Sequence, residues 1–225
     1  MTVVVPIAPR VPIILPGEEE TSWIDVREKL NRNRILFLCQ EIEAEISNDL
    51  MGLMLYLSME NSTQDLYLFI NSPGGDIIHG MAIHNIMRFI PYDINTICLG
   101  LAASIASYVL VGGEYKKRIA LPHARIMIHQ PACYWVEVED EDDDDKDDED
   151  KIDKIQKMGH IDSYNECKSI MSIRETIARV YSERTGKPLW IISQDLERDF
   201  YMSAIEAKAY GIVDCIKEKS KKQNI

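Results

Sequence analysis

The chain has 225 residues, 46% of them apolar and 28% charged, which allows one sizeable core and excludes global disorder. Its formal net charge of −12 is concentrated: thirteen Asp or Glu against two Lys fall between Glu137 and Asp153, leaving the remainder close to −1. With no basic excess to neutralise phosphates, nucleic acid is excluded as a partner, and no apolar run approaches the roughly 18 residues of a membrane-spanning helix.

From the N-terminus, Val3 to Leu15 is apolar but carries Pro6, Pro9 and Pro12 and no charged leader, so it reads as an extended arm rather than a signal peptide. Ser22 and Asp25 form an S-x-x-D helix start ahead of Leu30. Ile35 to Cys39 has the length of a strand, and Glu41 to Met59 has apolar residues at helical spacing. Leu66 to Ile70 is a second strand, stopped by Asn71-Ser72-Pro73-Gly74-Gly75. Ile77 to Ile90 reads as helix, Ile94 to Leu99 as strand, and Ala102 to Val111 as a short buried helix ended by Gly112-Gly113. Arg125 to Ile128 is another strand. The acidic run follows, with too much like charge to fold on its own, and it lacks the Gly that a calcium loop needs. Arg174 to Tyr181 closes a long amphipathic helix, broken at Thr185-Gly186-Lys187-Pro188. Ala204 to Ala209 is helical with Gly211 as its cap, and Ile212 to Ile216 is a last strand. Short apolar strands alternating with helices define an α/β domain with a parallel sheet and helical crossovers, and chemistry in such folds gathers where strands end.

The five cysteines are scattered and never spaced C-x-x-C. Cys39 and Cys98 sit in strand-like runs and read as buried free thiols of a reducing compartment. His79, His84, His123 and His160 have no metal-ligand spacing, and no metal site is assigned.

Three strand ends carry candidate chemistry. Ser104, in Gly100-Leu-Ala-Ala-Ser104-Ile-Ala, lies where strand gives way to helix, and the Ile105 N–H would face the same cleft. The motif is not G-x-S-x-G, and a Ser among small residues is more often a packing or capping residue. Gly74-Gly75 can turn backbone N–H groups toward one point, or be a plain turn. His129 ends Ile126-Met127-Ile128 and is a candidate general base, although capping is commoner there. Asp199, before Phe200-Tyr201, could orient an imidazole, with Asp195 in competition.

Taken in order, INSPGG, GLAASIAS, RIMIHQP and LERDFYMSAIEAKAYGIVD resemble the proteolytic subunits of the ATP-dependent Clp protease family, from about Pro16 to Lys217 apart from the acidic stretch. PGEEETSWIDV and RTGKPLW resemble the plastid-encoded form. The resemblance implies a ClpP/crotonase-like domain over residues 16–225 with an axial arm at 1–15. It makes Ser104 the nucleophile, His129 the general base, Asp199 its orienting carboxylate, and the Gly75 and Ile105 N–H groups the oxyanion hole. No metal or organic cofactor is implied, ATP being used by a partner.

The same resemblance implies two stacked seven-membered rings of Clp subunits, fed with unfolded protein by an AAA+ unfoldase, in the chloroplast stroma. Tyr67 and Phe69 match an apolar docking pocket for that unfoldase, although one face of a strand can equally be core. Glu197 and Arg198 match a pair that joins the rings. The chain departs from the family in the handle region, about 132–182. Here Ala132-Cys-Tyr-Trp-Val-Glu-Val138 leads into an acidic insertion at about 139–155, expected to loop away and stay mobile. Two other readings compete: a non-catalytic subunit of mixed rings, and an acyl-CoA enzyme of the crotonase type. The intact Ser104, His129 and Asp199 argue against the first, and Ser104 and His129, where crotonase chemistry relies on acidic residues, argue against the second.

Overall fold

The computed structural model describes residues 9–14, 21–131 and 168–218. The acidic insertion, handle residues 132–167, and arm residues 1–8 and 15 lie outside the described residues.

The arm contributes β1 (Arg10–Ile14), paired antiparallel with β2 (Thr21–Asp25). Helix α1 (Val26–Arg32) starts one turn later than the S-x-x-D pattern implies. Ser22 belongs to β2, and it is the Asp25 carboxylate that caps the helix by accepting from the Arg27 N–H.

The main sheet begins with β3 (Ile35–Leu38), β4 (Leu66–Ser72) and β5 (Ile94–Ala103), paired in parallel, with α2 (Ala44–Glu60) and α3 (Ile77–Phe89) as crossovers. Alternation along β3 and β4 sends Leu36, Leu38, Leu66, Leu68 and Ile70 into the core, where all are fully buried beside Leu50, Met54 and Ile83 of the two helices. The same period of two puts Cys39 on the opposite face. It is exposed, correcting the buried reading, whereas Cys98 is buried as expected.

Strand β5 is longer than its apolar run because Gly100-Leu101-Ala102-Ala103 continues as strand. Its first half pairs with β6 (Arg118–Ala120), which carries β9 (Cys215–Ile216) on its far edge; its second half pairs with β7 (Arg125–Ile128). The fork is set at Asn71, which bulges out of β4 and accepts the Leu101 N–H on its Oδ1, 3.0 Å away. Gly100 faces that amide so closely that an added Cβ would lie 2.7 Å from it. Helix α4 (Ile105–Val111), buried on all sides, therefore starts three residues later than the small-residue run implies.

A helix over residues 168–185, here α5, is followed by α6 (Leu189–Asp195), β8 (Phe200–Ser203) and α7 (Ala204–Tyr210). Helix α7 begins with a capping box between Ser203 and Glu206 and ends at Gly211, whose φ of 99° is the left-handed cap that Gly supplies. Strand β8 runs antiparallel to β7.

Candidate active site

Sheet register builds the site. β5 and β7 pair in parallel with Ala103 beside Met127, and the Ser104 N–H donates to the Met127 carbonyl at 2.9 Å. β7 and β8 pair antiparallel with Ile128 opposite Phe200, so His129 and Asp199 are the next facing pair beyond the strand ends. The Gln130 N–H donates to the Leu196 carbonyl at 2.7 Å, which fixes the loop before Asp199. Ser104, His129 and Asp199 therefore converge, although 70 residues of chain separate His129 from Asp199.

His129 Nδ1 lies 3.0 Å from Asp199 Oδ1, and its Nε2 lies 2.8 Å from Ser104 Oγ. An ionised carboxylate only accepts, so Nδ1 carries the proton and donates to Asp199. Nε2 then presents its lone pair, and the Ser104 hydroxyl donates to it. That is the tautomer a general base requires. Asp195, the competing carboxylate, instead accepts from the Tyr210 hydroxyl at 2.7 Å.

Ser104 is held at φ 55°, ψ −130°, a conformation that costs a non-glycine residue about 1–3 kcal/mol. The strand cannot continue through it, and the bend lifts Oγ out of the sheet toward His129. A strained strand-to-helix turn thus forms without the G-x-S-x-G motif. Gly74 makes room: a Cβ there would meet the Ser104 Cβ at 2.7 Å. Gly75, at φ 141°, forms a parallel bridge with Ile42, in which the Ile42 N–H donates to the Gly74 carbonyl and the Asp76 N–H to the Ile42 carbonyl. Neither bond uses the Gly75 N–H. The Ile105 N–H belongs to the first turn of α4, where no intrahelical acceptor exists.

A cavity of about 310 Å³ adjoins this group, lined by Gly75, Ser104, Ile105 and His129 and by the apolar Ile77 and Ile177. Gly80 of α3 supports Ile105 from behind, since a Cβ at that position would lie 2.2 Å from Ile105 Cγ1. Neither Asn71 nor Gly80 stood out in the sequence; the first was legible only as part of the loop motif, the second not at all.

The remaining sequence candidates are Tyr67, Phe69, Glu197 and Arg198. Tyr67 is 43% exposed, and Phe69 is half-buried with its ring stacked 5.4 Å from that of Phe37, so both sit on the face of β4 turned from the core. Glu197 is exposed, 3.9 Å from Arg174, and Arg198 lies over the Phe200 ring. Among the described residues, no three His, Cys, Asp or Glu side chains are grouped to hold a metal ion, and no helix is long and apolar enough to cross a membrane.

A mostly parallel α/β sheet with a Ser–His–Asp chain at its strand ends defines a serine hydrolase. The Clp protease family profile matches residues 17–159 and 154–220. A protein of Nicotiana tabacum named "ATP-dependent Clp protease proteolytic subunit" is 52% identical over 208 residues, covering 92% of this chain and 96% of its own. Its namesakes in Buxus microphylla and Platanus occidentalis are 52% and 51% identical over the same length, each covering 92% of this chain and 93% of its own. The chain belongs to the Clp protease family, as a proteolytic subunit of the serine endopeptidase type. Membership carries with it an oligomeric assembly that works with Clp ATPases.

Proposed function

We propose that Ser104, His129 and Asp199 are the catalytic triad of this subunit and that the Gly75 and Ile105 N–H groups are its oxyanion hole. The observation that carries this reading is the hydrogen-bond chain from Ser104 through His129 to Asp199. Ser104 Oγ attacks the carbonyl carbon of a peptide while His129 Nε2 takes the hydroxyl proton, and Asp199 stabilises the imidazolium. The two N–H groups hold the tetrahedral oxyanion. His129 returns the proton to the leaving amine, and an acyl-enzyme remains. Water, deprotonated by the same nitrogen, then releases the acid. These steps call on no metal or organic cofactor from this chain; ATP is consumed by the partner.

The architecture proposed with it is an axial arm at 1–15 and a peptidase domain at 16–225, assembled with Clp subunits into two seven-membered rings. Tyr67 and Phe69 offer the unfoldase an apolar docking face, supported by their exposure opposite the core. Glu197 and Arg198 meet the facing ring, supported by their place on the exposed turn between α6 and β8. Substrates are unfolded chains and peptides. The setting is the plastid stroma, supported by the plant sources of the relatives.

Substituting Ser104→Ala in the intact complex tests the reading. Peptide hydrolysis by the sites of this subunit falls by several orders of magnitude, while assembly persists. Unchanged hydrolysis would mean a subunit that shapes the ring and cleaves nothing.

A further inference from the structure

We propose that Ser107 and Tyr181 are positioning residues for peptide hydrolysis, aiming the Ile105 N–H at the oxyanion through the peptide plane that Ile105 shares with Ser104. The inference rests on the roles proposed above for Ser104 and Ile105.

A trans peptide is planar, so its C=O and N–H point in opposite directions, and fixing one fixes the other. The Ser104 carbonyl is fixed twice by one residue: the Ser107 N–H donates to it at 3.0 Å and the Ser107 hydroxyl at 2.6 Å. The Ile105 N–H of the same peptide is thereby turned to the opposite side, and Ile105 lines the cavity together with Gly75 and Ser104. Because the Ser107 proton is spent on Ser104, the 2.7 Å contact between Ser107 Oγ and Tyr181 Oη has Tyr181 as donor. Burial pushes the Tyr181 hydroxyl's pKa up, which keeps that donor protonated.

Both residues are buried, and Tyr181 also lines the cavity. Tyr181 is held in turn: its ring meets Tyr108 edge-on at 6.0 Å, and Tyr108 packs on His84 at 4.4 Å. It is supplied by α5, 74 residues along the chain from Ser107. Ser104 occupies a conformation it would leave if its carbonyl were released, so the chain Tyr181–Ser107–Ser104 keeps a strained peptide pointing one way. A merely structural role for the pair would be to satisfy two buried hydroxyls, and that role predicts a change in stability without a change in chemistry.

The test is Tyr181→Phe in the assembled complex, read by steady-state hydrolysis of a short fluorogenic peptide and by inhibition with a peptide boronate. The boronate places a tetrahedral anion in the oxyanion hole. With the donor gone, kcat falls about 10-fold and boronate affinity weakens by a similar factor, with KM unchanged, because only the tetrahedral state needs the N–H well aimed. Ser107→Ala loses about 10²-fold in kcat, and Ser107→Ala/Tyr181→Phe loses no more than Ser107→Ala alone. The double variant is also the more stable of the two, since it leaves no stranded hydroxyl. Wild-type kcat and boronate affinity in Tyr181→Phe, or a rise confined to KM, would overturn the proposal. If Tyr181→Phe does not assemble, the double variant carries the same test, and an unchanged kcat there overturns it. Hydrolysis that survives Ser104→Ala would overturn the triad reading as well, which separates the two failures.

Discussion

In the proposed triad, the Asp199 carboxylate works by fixing which nitrogen of His129 carries the proton. Asn at this position can donate to Nδ1, which would move the proton to Nε2 and leave Ser104 facing an N–H instead of a lone pair. Asp199→Asn therefore lowers kcat with little effect on assembly. The side chain is 60% exposed, so water partly restores the right tautomer, and the loss is about 10³-fold rather than the roughly 10⁴ of a buried triad carboxylate. Peptide turnover at neutral pH checks this. The choice of Asp199 over Asp195 was open in the sequence, since both follow α5 in one acidic, polar run. Register decides it, because only Asp199 falls opposite His129 once β7 and β8 pair. A second residue-scale prediction concerns His84, buried against Tyr108 and accepted at the Tyr108 carbonyl, whose pKa burial lowers from 6.5 to about 4. Above pH 6.5 it is neutral folded or unfolded and costs nothing. As pH falls from 6.5 toward 4 the unfolded chain takes up a proton that the folded chain refuses, so stability drops by about 3 kcal/mol over that window. Denaturant unfolding at pH 7 and pH 4.5 shows the drop, and His84→Gln reduces it; an identical slope in the variant would remove His84 from the account.

At the scale of elements, two glycines hold the ends of β4, α3 and α4 in working contact. A Cβ at Gly75 would meet the Ile42 backbone at 2.4 Å and 2.6 Å, with φ already at 141°, so Gly75→Ala breaks the bridge to Ile42 and turns the Gly75 N–H away. The loss in kcat is about 10²–10³-fold, that of one oxyanion donor, and the peptide assay measures it. Gly80→Ala strikes α4 instead, by driving a methyl into Ile105. It destabilises the fold by about 1–3 kcal/mol and lowers kcat, read by thermal unfolding and turnover. The helices α2 and α3 were legible because their periods run for several turns, and the core strands β3 and β4 because each opens on an unbroken apolar run. β6 and β8, of three and four residues, are too short to show a period and went unread. The run Leu101-Ala102-Ala103 suits strand or helix equally, so the start of α4 could not be placed from side chains alone; the fork of β5 at Asn71 decides it.

Across the whole molecule, the last strand is tied to the sheet by charge rather than by length. Arg118, 3% exposed, makes a bidentate pair with Asp214 through Nε and Nη2 while its Nη1 donates to the Arg184 carbonyl at the end of α5. Asp214→Ala strands that guanidinium and costs about 3–5 kcal/mol. That is a melting temperature lower by roughly 10 °C in a domain of this size, read by calorimetry on the intact complex. Parallel sheet, crossovers and the order of the chemical motifs were all present in the sequence. The tie between α5, β6 and the C-terminal strand was not, because Arg118, Arg184 and Asp214 meet only after the chain has folded.

The most direct test of the central claim is fluorophosphonate labelling of the native assembled complex, with the modified residue mapped by mass spectrometry. The triad predicts labelling at Ser104 that disappears when His129 is replaced by Ala. No label on Ser104 in an intact complex, or labelling indifferent to His129, would contradict it.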